Sequence, residues 1–237
     1  MEPDRVIYPL LKHVLMGPAM RVAFLPRVSG LAHVPRIGPV ILAANHLAFL
    51  DSFVLPLMVP RRVHFLGKHE YFIGTGVKGR TVAALFRGLG MIAVDRSGGR
   101  SAVAALDTSA AVLERGGVFA IHPEGTRSPD GRLYRGRTGV ARLAMRTGAP
   151  VVPVAIEGTD RLQPVGRAVP KPGRIGLRIG APMDFAGRDD GVPRGKAARQ
   201  VTDEIMAAIQ RLSGQEYVDD YAPRAPGPSG RGGPSDV

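Results

Sequence analysis

The chain has 237 residues, of which 44% are hydrophobic and 22% charged, values typical of one large or two small globular domains and not of a disordered protein. It contains no cysteine, which excludes a disulfide scaffold, thiolate metal sites and a cysteine nucleophile. The 32 basic and 20 acidic residues give a formal net charge of +12, so the partner is expected to be anionic.

Residues 1–28 are predicted to form an amphipathic helical segment that lies in a membrane interface. A helix is expected at 5–15, kinked at Pro9 and ended by Pro18. Its apolar side chains share one face, with Arg5, Lys12 and His13 on the other: Val6, Ile7, Leu10, Leu11, Val14 and Leu15. No apolar run is long enough to span a bilayer. An ordinary surface helix packed on its own domain is the alternative.

Beyond residue 39, short apolar runs alternate with helical patterns. The apolar runs are typical of buried strands and cover 39–44, 63–66, 91–94, 118–121 and 151–156. Helices are predicted at 52–58, 80–87, 101–115, 138–146 and 196–212, and a further strand nearer an edge at 174–179. This alternation predicts an α/β domain over residues 29–214, with a mostly parallel central sheet flanked by helices. The Pro- and Gly-rich residues 215–237 are predicted to be a disordered tail.

A histidine and an aspartate follow the first of these predicted strands, at 39–44. If His46 leaves the strand end and Asp51 opens the next helix, the loop between them can bring the two side chains together. Asp51 would then accept a hydrogen bond from one ring nitrogen of His46 and leave the other free as a base. An N-cap role for Asp51 is the alternative.

Two arginines follow other strands of the predicted sheet. Arg96 comes after the strand at 91–94, and Arg127 lies in the turn after the strand at 118–121. Parallel strands end at one edge of a sheet, where ligands bind in open α/β folds. The two guanidinium groups would suit a phosphate monoester, while Gly125 permits close backbone approach and Thr126 offers a hydroxyl.

Four ordered blocks resemble those of the glycerolipid acyltransferase family. They are Asn45-His46 with Asp51, GMIAVDR at 90–96, PEGTRS at 123–128 and VPVAI at 152–156. Lys68 resembles the family's lysine between the first two blocks, and the likeness covers about residues 30–185. His122 departs from the family pattern, which usually has phenylalanine before Pro-Glu-Gly.

The resemblance implies transfer of a fatty acyl group from an acyl-CoA or acyl carrier protein thioester to a lysophospholipid. The default acceptor is 1-acylglycerol 3-phosphate, which would give phosphatidic acid. It also implies monotopic attachment to the membrane by an N-terminal helical motif. We expect this membrane surface to be anionic, given the net charge of +12, and to be the cytoplasmic face. Neither a cofactor nor a metal is expected.

The chemistry of the residues supports this reading. An alcohol needs a base to attack a thioester, and His46 can act as that base while Asp51 stabilises the imidazolium. A thiolate leaves easily, and there is no G-x-S-x-G motif for a serine acyl-enzyme. Glu124 is expected to stay ionised beside the arginines, either fixing the turn or contacting the acceptor.

Two other functions remain open. The sequence from Gly74 to Gly79 is a literal G-x-G-x-x-G and is the basis of an alternative, an NAD(P)-binding oxidoreductase. However, seven residues separate it from the end of the preceding apolar run, so the tight strand–turn–helix is missing. A basic nucleic-acid-binding module is possible from charge alone, but the chain lacks tryptophan and only 5% of its residues are aromatic.

Overall fold

The computed structural model describes residues 4–69, 72–94, 101–164, 166–188 and 190–223. The described strands are β1 (Arg27–Ser29), β2 (Val40–Ala44), β3 (Val63–Lys68), β4 (Met91–Val94), β5 (Val118–Ile121), β6 (Leu133–Tyr134), β7 (Val151–Glu157), β8 (Gly176–Ile179) and β9 (Tyr217–Val218). The α-helices are α1 (Asp4–Pro9), α2 (Met16–Phe24), α3 (Asp51–Met58), α4 (Gly76–Gly88), α5 (Ser101–Glu114), α6 (Gly139–Thr147), α7 (Thr159–Leu162) and α8 (Arg194–Ser213).

Seven strands form one sheet in the order β1-β8-β7-β2-β5-β3-β4. All neighbouring pairs are parallel except β7 and β8, which run antiparallel. This confirms the predicted α/β fold with a mostly parallel sheet. The predicted strand at 174–179 is β8, which lies one strand in from the edge because the short β1 covers it.

The alternation of side chains along β2 explains how helices cover both faces of the sheet. Val40, Leu42 and Ala44 point into a core shared with α2 and α3. Ile41 and Ala43 point into the opposite core, shared with α5, α6 and α8. All five side chains are fully buried, as expected for a central strand of a parallel sheet.

β9 lies within the segment that was predicted to be tail, and it pairs with β6 in a separate two-stranded sheet. The amide of Leu133 donates to the carbonyl of Glu216, and Ala222 is buried. Residues 215–223 are therefore folded, because their backbone groups pair with the chain after β5. The rest of the predicted tail, from 224, lies outside the described residues.

The N-terminal helices form one continuous path from residue 4 to residue 24, with a π-helical turn, Leu10–Leu15, between α1 and α2. Pro18 does not end it, contrary to the prediction, because it falls in the first turn of α2, where a missing amide hydrogen costs least. Gly17 is required there, since a Cβ would lie 1.8 Å from the carbonyl oxygen of Lys12. Among the described residues, no helix is both long and apolar enough to cross a bilayer.

Lys12 lies inside the protein and not on the polar face where it was predicted. Its ammonium donates to the carbonyl of Val59, just after α3, and lies 3.5 Å from the hydroxyl of Tyr8. A cation at this point is favoured by the helix dipole, although burial, followed by the charge of Arg21, lowers the pKa of Lys12 to about 8. This orientation of the helices exposes apolar side chains, and four of them, each more than half exposed, are here called the apolar N-terminal surface: Leu10, Val14, Leu15 and Val22.

Candidate active site

The predicted contact between His46 and Asp51 is present at the carboxyl edge of the sheet. Nδ1 of His46 lies 3.0 Å from Oδ2 of Asp51. A carboxylate only accepts, so Nδ1 carries the hydrogen and Nε2 is left with a free lone pair. The His46 side chain is 17% exposed, whereas that of Asp51 is fully buried. The arrangement therefore presents a basic nitrogen to the solvent side of the edge.

The loop before α3 folds around the Asp51 carboxylate. Oδ2 also accepts the amide hydrogens of Leu47 at 2.7 Å and Ala48 at 2.8 Å. Asp51 is the first residue of α3 and not its N-cap, so the alternative reading of this residue is not supported. Burial raises the pKa of Asp51, but the hydrogen bond and charge of His46 outweigh it, and the net shift is downward. Asp51 is thus held as an anion.

Glu124 is buried behind His46 and not in a phosphate site. One carboxylate oxygen accepts the backbone N–H of His46 at 2.9 Å, and the other accepts that of Tyr134 at 3.0 Å. Burial raises the pKa of Glu124 to about 7, although the two N–H groups lower it. The expectation of an ionised group paired with arginines is wrong, because the side chain points inward. Glu124 positions the backbone that carries the base.

His122 stacks against His46. The ring centroids are 4.0 Å apart and the planes differ by 11°. Nδ1 of His122 lies 3.0 Å from the carbonyl oxygens of both Ala44 and Asn45, so this nitrogen donates its hydrogen to them. Burial, and then the charge of His46, lowers the pKa of His122 to about 3. His122 is therefore a neutral ring that stacks against the ring of His46.

Asn45 joins the central strands to the C-terminal segment. Its side-chain amide accepts from the N–H of Ile156 at 2.7 Å and donates to the carbonyl of Ile156 at 2.9 Å. It also donates to the side chain of Gln215 at 2.8 Å. Asn45 is fully buried, and its hydrogen bonds with Ile156 fix the residue after β2 against the end of β7. An accessory role of Asn45 in the reaction stays a prediction.

The turn after β5 carries the predicted phosphate-binding residues. Gly125 has a φ of +75°, which explains the glycine, and it is exposed. Thr126 and Arg127 are half-buried. The amide of Ser128 donates to the carbonyl of His46 at 2.7 Å, so the turn lies directly beside the base. Within the described residues, Arg127 forms no ion pair, which leaves its guanidinium available to an anion.

Two predicted site residues cannot be placed. Arg96 lies outside the described residues, so its convergence with Arg127 stays a prediction. Lys68 ends β3 at the same carboxyl edge, but its side chain is also outside the described part of the structure.

Sequence reasoning missed three residues that contact this site. The side chain of Arg137 lies 3.0 Å from where a Cβ of Gly125 would be. The carbonyl oxygen of the Gln163 side chain accepts the amide of Leu50 at 2.7 Å, and the fully buried hydroxyl of Thr159 helps to lower the pKa of Asp51. None of the three lies in a sequence motif. Because each is far from His46 and Asp51 in the sequence, no local pattern indicates that it contacts the site.

The glycine-rich segment does not form a dinucleotide-binding turn. β3 ends at Lys68 and α4 begins at Gly76, so seven residues, 69 to 75, separate the strand from the helix. Gly74 and Gly79 instead pack on each other, since a Cβ at Gly79 would lie 2.2 Å from the carbonyl carbon of Gly74. Close packing within this segment therefore accounts for these glycines.

Together, an α/β fold, a histidine–aspartate pair at the carboxyl edge and a neighbouring Pro-Glu-Gly-Thr-Arg turn define the class of site found in acyltransferases. The model of the Acyltransferase family matches residues 26–157, more than half of the sequence. The chain belongs to this family.

The similar proteins include bacterial and plant members. A chloroplastic 1-acyl-sn-glycerol-3-phosphate acyltransferase of Brassica napus is 32% identical over 59% of this chain and 39% of its own. One from Borreliella burgdorferi is 29% identical over 56% of this chain and 51% of its own. The chain thus spans about two fifths to half of these relatives. The crystal structure of the 1-acyl-sn-glycerophosphate acyltransferase of Thermotoga maritima aligns with a TM-score of 0.64 and 27% identity, over 88% of this chain and 79% of that one.

Replacing His122 by phenylalanine should remove a pH dependence of the free energy of unfolding. Below its ordinary value of 6.5 the unfolded imidazole takes up a proton, whereas the folded one does so only near its pKa of about 3. Between these values the wild type therefore loses stability as the pH falls, by about 1 to 2 kcal/mol from pH 7 to about pH 5. Urea unfolding at pH 7 and at about pH 5 measures this loss. The decrease in the free energy of unfolding should be smaller in H122F than in the wild type by that amount. An equal pH dependence for both proteins would contradict a neutral buried His122.

Proposed function

We propose that this protein transfers a fatty acyl group from an acyl thioester to the hydroxyl of 1-acylglycerol 3-phosphate, giving phosphatidic acid. The observation that carries the proposal is the His46–Asp51 hydrogen bond of 3.0 Å, which leaves Nε2 of a partly exposed imidazole free beside the turn of Arg127. Family membership and the names of the relatives support the same reaction.

His46 acts as the general base in this mechanism. Nε2 takes the proton of the acceptor hydroxyl as its oxygen attacks the thioester carbonyl carbon. Asp51, held as an anion, stabilises the imidazolium that forms. When the tetrahedral intermediate collapses, the carbon–sulfur bond breaks and the thiolate leaves with the proton from His46. The products are the ester and the free thiol, and no acyl-enzyme is formed.

The acceptor phosphate binds on the side of the edge formed by β5, β3 and β4. Arg127 supplies a guanidinium there, and Thr126 with the exposed backbone at Gly125 supplies hydrogen-bonding groups. β3 ends at Lys68 and β4 ends at Val94 on the same side. We assign Lys68 and Arg96, which follows β4 by two residues in the sequence, to the phosphate. Arg137, which packs on Gly125, is a further cation for this site.

The protein attaches to one face of a membrane through the apolar N-terminal surface. Its four side chains are between 53% and 79% exposed, and they share a continuous helical path that is docked on α3 through Lys12. An apolar helix face with cations nearby is suited to the interface of an anionic bilayer. We assign it to the cytoplasmic face, where lysophospholipid and the acyl-CoA or acyl carrier protein thioester can meet.

Replacing His46 by alanine should reduce turnover by about 10²- to 10⁴-fold, the usual contribution of a general base. The measurement is thiol release from palmitoyl-CoA with lysophosphatidate in detergent micelles. The matched control is His13→Gln, which changes an exposed histidine in the N-terminal helices. This variant should keep normal turnover. Retention of more than half of the activity by H46A, with its fold intact by circular dichroism, would remove His46 from the mechanism.

Replacing Arg127 by glutamine should raise the KM for lysophosphatidate by about ten- to a hundredfold, because a hydrogen bond to a charged group is worth about 1.5–3 kcal/mol. The KM for the thioester should change little, since Arg127 contacts only the acceptor. Arg142→Gln, which changes an exposed arginine on α6, controls for loss of charge. A normal acceptor KM in R127Q would refute the phosphate assignment.

Replacing Leu10, Val14 and Leu15 together by serine should weaken sedimentation with anionic vesicles while leaving turnover in micelles unchanged. The control replaces three other exposed apolar residues, Ile37, Val103 and Val169, and should bind vesicles like the wild type. Equal vesicle binding by all three proteins would show that the apolar N-terminal surface does not attach to membranes.

A further inference from the structure

A second cationic site lies at the same sheet edge, on the other side of β2 from Arg127. A cavity of about 530 Å³ is lined there by one glutamate and four arginines: Glu157, Arg27, Arg161, Arg174 and Arg178. β7 ends at Glu157, and the register aligns Glu157 with Gly176 and Gly176 with Arg27. The cavity thus lies at the carboxyl edge of β7, which is the neighbour of β2 in the sheet, and His46 follows β2.

The charges in this cavity do not cancel. Glu157 lies 2.9 Å from Arg178, and this ion pair neutralises one of the four arginines. Arg27, Arg161 and Arg174 are exposed, and within the described residues none of them forms an ion pair. Three unpaired guanidinium groups around one cavity favour an anion with several oxygens, for which arginine is suited.

The cavity adjoins the end of the N-terminal helices. The amides of Gly173 and Ile175 donate to the carbonyls of Ala23 and Phe24 at 3.0 and 3.1 Å, so Arg174 sits directly beside the end of α2. Val22 and Leu25, next to these contacts, are 79% and 54% exposed. Val22 and Leu25, which can enter a bilayer, therefore lie beside Arg174, which can then contact lipid headgroups.

Leu25 adds an independent observation. It is the one non-glycine residue in the described part of the chain with a positive φ, at +38°, a conformation that is unfavourable for a leucine. Leu25 ends α2 while its side chain stays largely in solvent. The Leu25 amide donates to the carbonyl of Arg21 at 3.0 Å, so this conformation caps α2, and it leaves the apolar side chain exposed where it can enter a bilayer.

We infer that the cavity of Arg27, Arg161 and Arg174 binds the phosphate headgroup of an anionic membrane lipid, separately from the phosphate of the acceptor. This inference rests on the proposed membrane attachment but not on the proposed chemistry. The site would hold the carboxyl edge of the sheet against the lipid surface, so that the acceptor reaches His46 without leaving the interface. An acidic carrier protein would match the charge but not the exposed Val22 and Leu25.

The test compares two full-length double variants that lose the same charge. Arg161→Gln with Arg174→Gln removes two cavity arginines, and Arg115→Gln with Arg142→Gln removes two exposed arginines remote from the cavity. Binding is measured first to short-chain phosphatidylglycerol below its micellar concentration, then to mixed phosphatidylcholine–phosphatidylglycerol vesicles. Inorganic phosphate is titrated separately to distinguish a headgroup site from a free-phosphate site.

The cavity variant should bind phosphatidylglycerol vesicles about 25-fold more weakly, since each arginine near an anionic surface contributes about 1 kcal/mol. The remote variant should lose much less, because charges beyond about 8 Å are screened. R127Q should bind the soluble lipid normally, and turnover of the cavity variant in micelles should be unchanged. L25G should fold at least as stably as the wild type and yet bind vesicles more weakly.

Several results would overturn the inference. Equal losses in the two double variants would mean that net charge alone attracts the membrane. Tight binding of inorganic phosphate with no preference for the lipid would assign the cavity to a soluble anion. Loss of acyl carrier protein binding with vesicle binding intact would assign it to that protein. Binding of the soluble lipid without any vesicle binding would refute the membrane attachment, and with it the inference of a membrane-lipid site, and would leave the proposed acyl transfer untouched.

Discussion

The buried carboxylate of Asp51 is the charge around which the rest of the site is arranged. One of its oxygens accepts the ring N–H of His46 and the amides of Leu47 and Ala48. An anion is tolerated in a protein interior only when it is paired and hydrogen-bonded. The loop must therefore close around Asp51 whenever the protein is folded, and this closure fixes the orientation of the imidazole before any substrate binds.

The helix that begins at Asp51 also joins the site to the N-terminal helices. Lys12 binds the carbonyl after the last turn of α3, so opposite charges sit at the two ends of one helix, each at the end the helix dipole favours. On the other side of His46, Glu124 and Asn45 hold the ends of β5 and β2 through backbone groups. The base is thus fixed by buried contacts, whereas the arginines that meet the anions stay exposed or half-buried.

The sequence predicts those parts of the structure that depend on local pattern. Buried parallel strands have uninterrupted apolar runs, so β2, β5 and β7 were predicted almost to the residue. The contact of His46 and Asp51 was predicted from their placement at a strand end and a helix start, not from their spacing alone. The inward orientation of Glu124 and Lys12 was not predicted, because each depends on a partner far along the chain, His46 and Val59. The stacking of His122 on His46 also requires two strand ends to meet, which no local pattern encodes.

The central claim is that Asp51 fixes His46 with its hydrogen on Nδ1 and leaves Nε2 as the free base. The most direct measurement is the tautomer of the His46 ring, read from its ¹⁵N chemical shifts in the neutral state and compared with the D51N variant. The account predicts an unprotonated Nε2 in the wild type and a loss of that preference in D51N. A hydrogen on Nε2 of the neutral wild-type ring, or a mixture unchanged by D51N, would contradict it.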